Sequence, residues 1–353
     1  MEKEIIHILP AKVIGGAELM TFKMVKHLNN SGIKSRILYL KNTQGQELES
    51  FEDSLGLESY KDINSIVRLS EWFSLKKYTA LNTLIHSHLP WSLYFCSPII
   101  KEHEIKAVHT VHNSQDFSFS FPFQNRINSY LLNRLDAVIG ISNAVTDRIK
   151  SIKLSNPVVK TIYNGANLCV AQERKPSGKL KLVSVGTLKK QKGYDFALHF
   201  LAKNKDYIDS FTLVGNGIEF DSLKNKCREL GLSQIVNIVG FSDSPEKYLY
   251  ASDLYLQPSR WEGFGLAALE ALSTGMPIIA SDVAGMDEVL GNDNPGVKLL
   301  KFGDIKIWAD AIEDAFNNPS FYKDAYHHNP KQASKYDLES MVKNYIELYR
   351  TLD

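Results

Sequence analysis

Short apolar runs rich in Ile and Val recur along the chain, and most alternate with segments of helical period. Runs of four to seven such residues are typical of strands buried on both faces of a parallel sheet, joined by crossover helices. The pattern therefore predicts an α/β protein with doubly wound parallel sheets. The runs are EIIHIL, SRILYL, TLIHS, KAVHTVH, AVIGIS, VVKTIY, KLVSVG, FTLVG, IVNIVG, DLYLQ, PIIAS and VKLL.

The alternation lapses once, between Tyr163 and Leu180, where the polar stretch NGANLCVAQERKPSGK contains Gly, Pro and Lys. Such a stretch is typical of a connection between domains. It predicts two Rossmann-like domains, residues 1–165 and residues 166–335.

The last segment, YDLESMVKNYIELYR, has helical period and one apolar face, so it must bury that face. We expect residues 336–353 to form a helix that packs back on the first domain. The residues on its apolar face are Leu338, Met341, Val342, Tyr345, Leu348 and Tyr349.

Composition and charge narrow the class of protein and its possible partners. With 353 residues, 44% of them hydrophobic, the chain can bury sizeable cores, and a net charge of +1 disfavours nucleic acid as a partner. Three widely spaced cysteines favour neither disulfides nor a zinc site. The N-terminus is not typical of a signal peptide, and no apolar stretch is long enough to span a bilayer. We therefore expect a cytoplasmic protein that is soluble or only peripherally attached to a membrane.

Gly-containing turns follow several predicted strands, which is where ligands bind in this class of fold. They are IGGAE at residues 14–18, GTLKKQKG at residues 186–193 and GNG at residues 215–217. Glycines let the backbone approach an anion closely, and lysine adds a positive charge for a phosphate. Taken alone, the first turn is equally well explained as a simple tight turn, and the three lysines of the second are better explained as solvated side chains.

The stretch EGFGLAALE places Glu262 in a loop and Glu270 on the second turn of a helix that begins near Gly265. The free N–H groups at such a helix end suit a diphosphate, and a carboxylate suits a vicinal diol. The alternative is a capping acid and a surface acid. Because the helix is apolar almost all round, we expect it to be buried, and a buried Glu270 needs a partner. The pattern favours a nucleotide-sugar site.

At this point the chain resembles the retaining glycosyltransferases of the GT-B fold, in the group (family four) marked by two glutamates separated by seven residues. The resemblance covers nearly the whole chain and implies two Rossmann-like domains facing a central cleft. The motifs that carry it are IGGAE, HSH, VHTVHN, DAVIGIS, IYNGAN, VGTLKKQKG, LVGNG, PSRWEGFG and GMPIIASDVAG.

The resemblance implies roles for particular residues. Glu270 would hold the ribose hydroxyls, Glu262 the hydroxyls of the donor sugar, and Lys192 the diphosphate, while His112 would lie beside the sugar near its anomeric carbon. The implied catalytic residues are therefore His112, Glu262 and Lys192. The implied donor-binding residues are Gly15, Gly16, Thr187, Lys192, Gly215, Phe241, Gly263, Phe264, Gly265, Leu266 and Glu270.

One position departs from the family pattern. The family usually has an arginine where this chain has Thr187. Loss of a charged hydrogen bond would lower activity roughly ten- to hundredfold. Lys189, Lys190 and Arg260 are the candidates for the missing charge.

Among the remaining histidines of these motifs, His109 is expected to be structural, whereas His86 and His88 could line the cleft. His109 lies three residues before His112 on the same strand, so its side chain should point to the other face. His86 and His88 share a face, but the sequence shows no third ligand for a metal site. No DxD-like motif lies near a strand end. We therefore expect no metal and no cofactor other than the nucleotide-sugar substrate.

The resemblance implies transfer of a hexose-type sugar, with retention, from a UDP- or GDP-sugar to a glycan or lipid-linked glycan in cell-surface polysaccharide or lipopolysaccharide synthesis. Two alternatives stay open: a nucleotide-sugar epimerase or sugar-phosphate synthase on the same fold, and a non-catalytic nucleotide-sugar-binding paralogue, which Thr187 keeps open. The segment DFSFSFPFQNRINSYLLNRLD alternates Phe with polar residues and is followed by Arg126 and Arg134. It is either packed structure or a lip that meets a lipid-linked acceptor at the inner membrane leaflet.

Overall fold

A computed structural model of the chain divides into two compact units. Unit 1 comprises Met1–Gly165 and Leu338–Asp353, and unit 2 comprises Ala166–Asp337. The residues that the structure describes are 3–11, 15–40, 83–102, 105–113, 115–116 and 124–352. Residues 117–123, which contain the four Phe of the segment singled out above, lie outside them.

Unit 1 is built on six parallel strands in the order β2-β1-β3-β4-β5-β6. Its strands are β1 Glu4–Leu9, β2 Ser35–Tyr39, β3 Thr83–His88, β4 Lys106–Val111, β5 Ala137–Gly140 and β6 Val158–Thr161. Its helices, within the described ranges, are α1 Gly16–Asn30, α2 Leu89–Glu102, α3 Gln124–Leu132, α4 Asn143–Lys150 and the C-terminal helix, Leu338–Thr351.

Unit 2 repeats this design with six parallel strands in the order β12-β11-β10-β7-β8-β9. Its strands are β7 Leu180–Val185, β8 Ile208–Val214, β9 Val236–Gly240, β10 Leu254–Gln257, β11 Ile278–Ser281 and β12 Val297–Leu300. Its α-helices are α5 Tyr194–Lys203, α6 Phe220–Glu229, α7 Glu246–Tyr250, α8 Leu266–Ser273, α9 Met286–Leu290, α10 Ile305–Asn317 and α11 Pro319–Ala333, with 3₁₀ turns at Lys190–Lys192 and Ser334–Tyr336. The C-terminal helix is α12.

All twelve predicted strands are present, and the predicted α/β class is confirmed. In each sheet the strand order reverses at the first strand of the unit, since β1 lies between β2 and β3, and β7 lies between β8 and β10. Loops that leave the sheet in opposite directions at such a point open a crevice at the carboxyl ends of the strands. The carboxyl ends of β7 and β10 are therefore the place to look for a ligand in unit 2.

The strands are apolar on both faces because helices cover both sides of each sheet. In unit 2, side chains from the sheet and from α5, α6 and α10 form one core in which the rings of Phe196, Phe200 and Trp308 pack together. Trp308 is fully buried, and its indole N–H donates to the carbonyl of Lys301.

Helix α12 confirms the predicted apolar stripe, since all six residues of that stripe are buried. It belongs to the compact unit that contains the first sheet, and it contacts α1. The hydroxyl of Tyr349 lies 2.6 Å from His86 Nδ1, and that of Tyr345 lies 3.0 Å from Thr110 Oγ1. The chain thus returns to unit 1 at its end and completes a polar cluster on the sheet.

Residues 166–179, which the sequence suggested as a polar connection, are packed on unit 2. The guanidinium of Arg174 is buried and donates to the carbonyls of Ser252, Leu249 and Thr274. Burial lowers the pKa of Arg174 to about 10. These hydrogen bonds attach residues 166–179 to the ends of α7 and α8.

Within the described part of the chain, none of the helices combines the length and the apolar character that crossing a bilayer requires.

Candidate active site

The crevice of unit 2 lies where β7 and β10 run side by side. The 3₁₀ turn that follows β7 carries Lys192, and the loop that follows β10 carries Glu262. The ammonium Nζ of Lys192 donates to Glu262 Oε1 at 2.7 Å. Two residues 70 positions apart thus form an ion pair at the point where strand order reverses.

The carboxylate of Glu262 is surrounded by donors. Besides Lys192, Gln257 Nε2 donates to Oε1 at 2.8 Å and Ser259 Oγ donates at 2.6 Å. The hydroxyl of Tyr255 donates to Gln257 Oε1 at 2.7 Å, which orients the amide so that its NH₂ group faces Glu262. The Glu262 side chain is 6% exposed and that of Lys192 is 14% exposed. The pair is held in place before any ligand binds.

This arrangement leaves part of the carboxylate for a ligand. The three donors all reach Oε1, and no hydrogen bond among the described residues uses Oε2 of Glu262. A carboxylate oxygen accepts from sugar hydroxyls, and the ammonium of Lys192 offers two further N–H groups. The pair can therefore bind a hydroxyl and an anion side by side.

Glycines bring the turns around this pair close together. Gly193, directly after Lys192, has φ +66°, and a Cβ there would collide with the carbonyl oxygen of Pro258 at the end of β10. Only glycine combines that conformation with such a close approach. The two loops that supply Lys192 and Glu262 are therefore locked against each other by backbone contact.

A second close approach joins the ends of β7, β8 and β9. A Cβ on Gly215 would collide with the carbonyl oxygen of Gly186, and Gly215 N donates to the Gly240 carbonyl at 2.7 Å. The half-buried residues Thr187 and Phe241 directly follow Gly186 and Gly240. Three turns whose residues the resemblance assigned to donor binding thus lie at one edge of the sheet.

Helix α8 begins at Leu266, and its N-cap Gly265 has φ +88°. No side chain of the described residues caps this end, so its backbone N–H groups point beyond the helix without an intrahelical partner. Gly263 and Phe264 are buried in the preceding loop, where the Phe264 ring packs edge-on against Tyr336. The helix position predicted from the sequence is confirmed.

The expectation that α8 is buried all round is wrong on one face. Leu266, Ala267 and Glu270 are half-buried, whereas Ala268 and Leu269 are fully buried. Glu270 shares a side of the helix with Leu266 and Ala267, which lie four and three positions before it. Glu270 therefore lies on a partly open face at the amide end of the helix, and a ligand can reach it without displacing core residues.

Arg260, one of the three candidates for the charge missing at Thr187, already has a carboxylate partner. Its guanidinium makes two hydrogen bonds of 2.8 Å to the carboxylate of Asp195 and lies 4.9 Å from the ring centroid of Phe302. Lys189 and Lys190, in the same turn as Thr187, have exposed side chains. These two lysines stay the candidates.

In unit 1, Gly15 is the N-cap of α1 and Gly16 its first residue. Gly15 has extended backbone, and a Cβ there would meet the carboxylate of Glu18 in the first turn of the same helix. A Cβ on Gly16 would meet no atom of the described residues within 4 Å. The turn is tight at Gly15 and open at Gly16.

His112 directly follows β4 and is 9% exposed. Its Nε2 lies 3.0 Å from His88 Nδ1, and its backbone N–H donates to Asp116 Oδ2. Burial lowers the pKa of His112 to about 3, so the imidazole is neutral at ordinary pH. His109 lies on the other face of the strand, with Nδ1 2.9 Å from Ser87 Oγ, as its sequence offset predicted.

A third histidine joins His86 and His88, contrary to the prediction from the sequence. His7 on β1 is adjacent to His86 in register, and ligand atoms of the three imidazoles lie within 4.8 Å of one another. Both nitrogens of His86 already contact hydroxyls, at 2.6 Å from Tyr349 and 2.7 Å from Thr110. Both nitrogens of His88 contact other imidazoles. The geometry is that of a hydrogen-bonded cluster.

Sequence reasoning missed Gln257 and Ser259, which hold Glu262, and His7, which joins the histidine cluster. The motif QPSRWEG contained a signal for the first two, because polar residues that close a buried strand need partners. His7 lies inside an apolar run, where a lone imidazole also calls for a partner.

Two family models and several known proteins are similar to this chain. Residues 14–169 match the family model described as Glycosyltransferase Family 4, and residues 169–335 match Glycosyl transferases group 1. An uncharacterized 41.2 kDa protein in the cps region of Klebsiella pneumoniae is 24% identical, over 98% of this chain and 99% of that protein. The O-antigen biosynthesis glycosyltransferase WclY of Escherichia coli is 27% identical over 79% of this chain and 80% of its own length.

Among solved structures, HepE of Anabaena in complex with UDP and glucose has a TM-score of 0.85 and 19% identity, over 99% of this chain and all of that chain. The fold is thus GT-B, with two Rossmann-like domains. The chain is a transferase of the glycosyltransferase type.

Proposed function

We propose that the chain is a retaining glycosyltransferase that moves a hexose-type sugar from a UDP-sugar to a glycan or lipid-linked glycan of a cell-surface polysaccharide. The observation that carries the proposal is the preformed Lys192–Glu262 pair beside the uncapped end of α8. It combines a positive charge and free amides for a diphosphate with a carboxylate for sugar hydroxyls.

Known proteins support the choice of nucleotide and pathway. HepE, the structural neighbour from Anabaena, was solved with UDP-glucose as well as with UDP. The WclY relative is described as acting in O-antigen biosynthesis. Another structural neighbour is a lipopolysaccharide outer core galactosyltransferase. A UDP-hexose and a surface glycan are therefore the donor and acceptor classes that we propose.

In the proposed reaction the nucleoside diphosphate departs from the face of the sugar that the acceptor enters, which retains the anomeric configuration. The leaving phosphate oxygen takes the proton of the acceptor hydroxyl. Lys192 and the amides at the start of α8 stabilise the negative charge that develops on that phosphate. Glu262 orients the donor sugar, and Glu270 binds the ribose.

A panel of UDP-, GDP- and ADP-sugars in a thermal-shift assay, followed by acceptor-dependent release of nucleotide, tests the proposal. A shift with UDP-sugars and UDP release that requires a glycan acceptor support it. UDP-sugar consumption without acceptor favours an epimerase. Binding without any turnover favours the non-catalytic paralogue, for which Thr187 is the only sequence argument.

We propose that the reaction needs no metal, because Lys192 and the helix amides already supply the charge that a divalent cation would contribute. EDTA is expected to leave the initial rate of transfer unchanged within about twofold, an effect below ~0.4 kcal/mol. Elemental analysis of the untreated protein is the companion measurement. Loss of activity with EDTA, restored by Mg²⁺ or Mn²⁺, contradicts this proposal.

An apolar surface of unit 1 supports a peripheral membrane contact. Trp91 on α2 and Ile127 and Tyr130 on α3 are 65%, 52% and 59% exposed. The hydroxyl of Tyr94 donates to Asn128 Oδ1, which joins these two helices. Apolar side chains exposed together mark an interaction surface more often than scattered ones do.

Two arginines border this surface. Arg126 is exposed on α3, and the guanidinium of Arg134 lies 4.2 Å from the ring centroid of Tyr130. Aromatic side chains flanked by cations suit the headgroup region of an anionic bilayer. We propose that unit 1 touches the membrane here to reach a lipid-linked acceptor.

The triple variant Trp91→Ser, Ile127→Ser, Tyr130→Ser is expected to lose most of its flotation with vesicles that contain phosphatidylglycerol. Ile218→Ser is the matched control, because Ile218 is 85% exposed but lies in unit 2. Donor-sugar turnover in the absence of membranes should stay unchanged in both. Equal flotation of the triple variant and the wild type contradicts the membrane contact.

A further inference from the structure

A chain of three imidazoles crosses neighbouring strands of the first sheet. His7 Nδ1 on β1 lies 3.0 Å from His88 Nε2 at the end of β3. His88 Nδ1 in turn lies 3.0 Å from Nε2 of His112, just after β4. His7 and His88 are fully buried. His88 thus uses both ring nitrogens, one toward each neighbour.

All three imidazoles are neutral, because burial lowers the pKa of His7 and His112 to about 3 and that of His88 well below its usual value. A neutral imidazole has one N–H and one bare nitrogen. The direction of either hydrogen bond therefore fixes the direction of the other. If His7 donates to His88, then His88 donates to His112, and the proton of His112 is on Nδ1.

His7, at one end of the three imidazoles, determines which nitrogen donates in each hydrogen bond. Nε2 of His7 is buried and has no hydrogen-bond partner among the described residues. Buried N–H groups without an acceptor are rarer than buried acceptors without a donor. Nε2 is therefore the bare nitrogen of His7, and Nδ1 carries the proton and donates to His88.

The second hydrogen-bond network beside the three imidazoles does not change these proton positions. The ring of His86 lies 4.1 Å from that of His88, centroid to centroid, but its nitrogens contact the hydroxyls of Thr110 and Tyr349. Thr110 also contacts Tyr345. This second network runs beside the imidazole chain and satisfies its own donors and acceptors.

We propose that His88 is a positioning residue that holds His112 in its Nδ1–H tautomer, so that His112 offers a hydrogen-bond donor to an oxygen of the donor sugar. The inference rests on the proposed function and on the place beside the donor sugar that the resemblance implies for His112. His88 occupies Nε2 of His112, and no hydrogen bond among the described residues uses its Nδ1. Orientation of a functional imidazole through its other nitrogen is a common device in enzyme sites.

The test compares His88→Asn with His88→Leu. The amide of Asn has an N–H near the position of Nδ1 and can still donate to His112, whereas Leu cannot. His109→Asn is the matched control, because it also replaces a buried imidazole of this sheet, on the face where His109 contacts Ser87. The tautomer of His112 is read from the ¹⁵N shifts of its ring in histidine-labelled protein, without substrate.

The wild type, His88→Asn and His109→Asn are expected to show His112 protonated on Nδ1 alone. His88→Leu should show a mixture of tautomers and a kcat about tenfold lower, with unchanged affinity for UDP, and His88→Asn should restore kcat. His112 protonated on Nε2 in the wild type overturns the proposal even if a variant fails to fold.

An unchanged His112 spectrum and kcat in a folded His88→Leu variant overturn the proposal as well. So does a stoichiometric bound metal at the histidine cluster, because it would take the nitrogens that join His7 to His88. A wild type that binds no UDP contradicts the proposed function instead, and the tautomer measurement does not depend on that result.

Discussion

Glu262→Gln is expected to reduce kcat/KM by about a hundredfold and to lower the free energy of unfolding by about 3 kcal/mol. The Gln side chain keeps the shape of Glu262 but leaves the ammonium of Lys192, only 14% exposed, without its counter-charge. Removal of one partner from a buried pair is costly for that reason. Initial rates with a UDP-sugar and urea unfolding measure the two effects.

Two further variants separate the pair from general damage. In Lys192→Met combined with Glu262→Gln, the buried charge leaves with its partner, so stability should recover partly while activity stays low. Asp195→Asn breaks the more exposed pair with Arg260 and should cost less than about 1 kcal/mol. Activity of Glu262→Gln within a few-fold of wild type contradicts the role assigned to Glu262.

Acid is expected to destabilise unit 1 strongly below pH 6.5. Five histidines of unit 1 are buried, and burial lowers the pKa of each of them. The pKa falls to about 3 for His7, His109 and His112 and well below the usual value for His86 and His88. The unfolded chain binds protons near pH 6.5, whereas the folded chain does not until the pH is far lower. The contribution of these histidines to stability is therefore complete above pH 6.5 and falls as the pH drops toward 3, by about 1.4 kcal/mol per pH unit for each histidine.

Urea unfolding followed from pH 7.5 to pH 5 by circular dichroism measures this dependence. His109→Asn removes one buried histidine, so its stability should fall less steeply with acid, by about 1.4 kcal/mol per pH unit. Parallel slopes for this variant and the wild type, or a stability that does not change between pH 7.5 and pH 5, contradict the neutral buried cluster.

Strand and helix positions followed from the sequence because burial leaves a local signal. Runs such as KLVSVG and DLYLQ are apolar on both faces, which only a covered parallel strand requires. The apolar stripe on α12 repeats at helical period, and all six of its predicted residues are buried. The position of α8 followed from Gly265, whose left-handed backbone is a local property of glycine.

The contacts of the site could not be predicted in the same way, because they depend on which strands become neighbours. His7 and His88 are 81 residues apart, and only the order β2-β1-β3 brings their imidazoles together. Gln257 and Ser259 hold Glu262 through side-chain directions that a sequence does not show. The open face of α8 was missed because Leu266 and Ala267 look like core residues by type alone.

We propose that the amide end of α8, with Glu270 on its open face, binds the nucleotide of the donor. Calorimetric titration of UDP into wild type and Glu270→Ala tests it directly, with Glu229→Ala, an exposed acid elsewhere in unit 2, as the control. We expect Glu270→Ala to weaken UDP binding about tenfold or more and the control to bind like the wild type. Equal affinity of Glu270→Ala and the wild type would contradict the account.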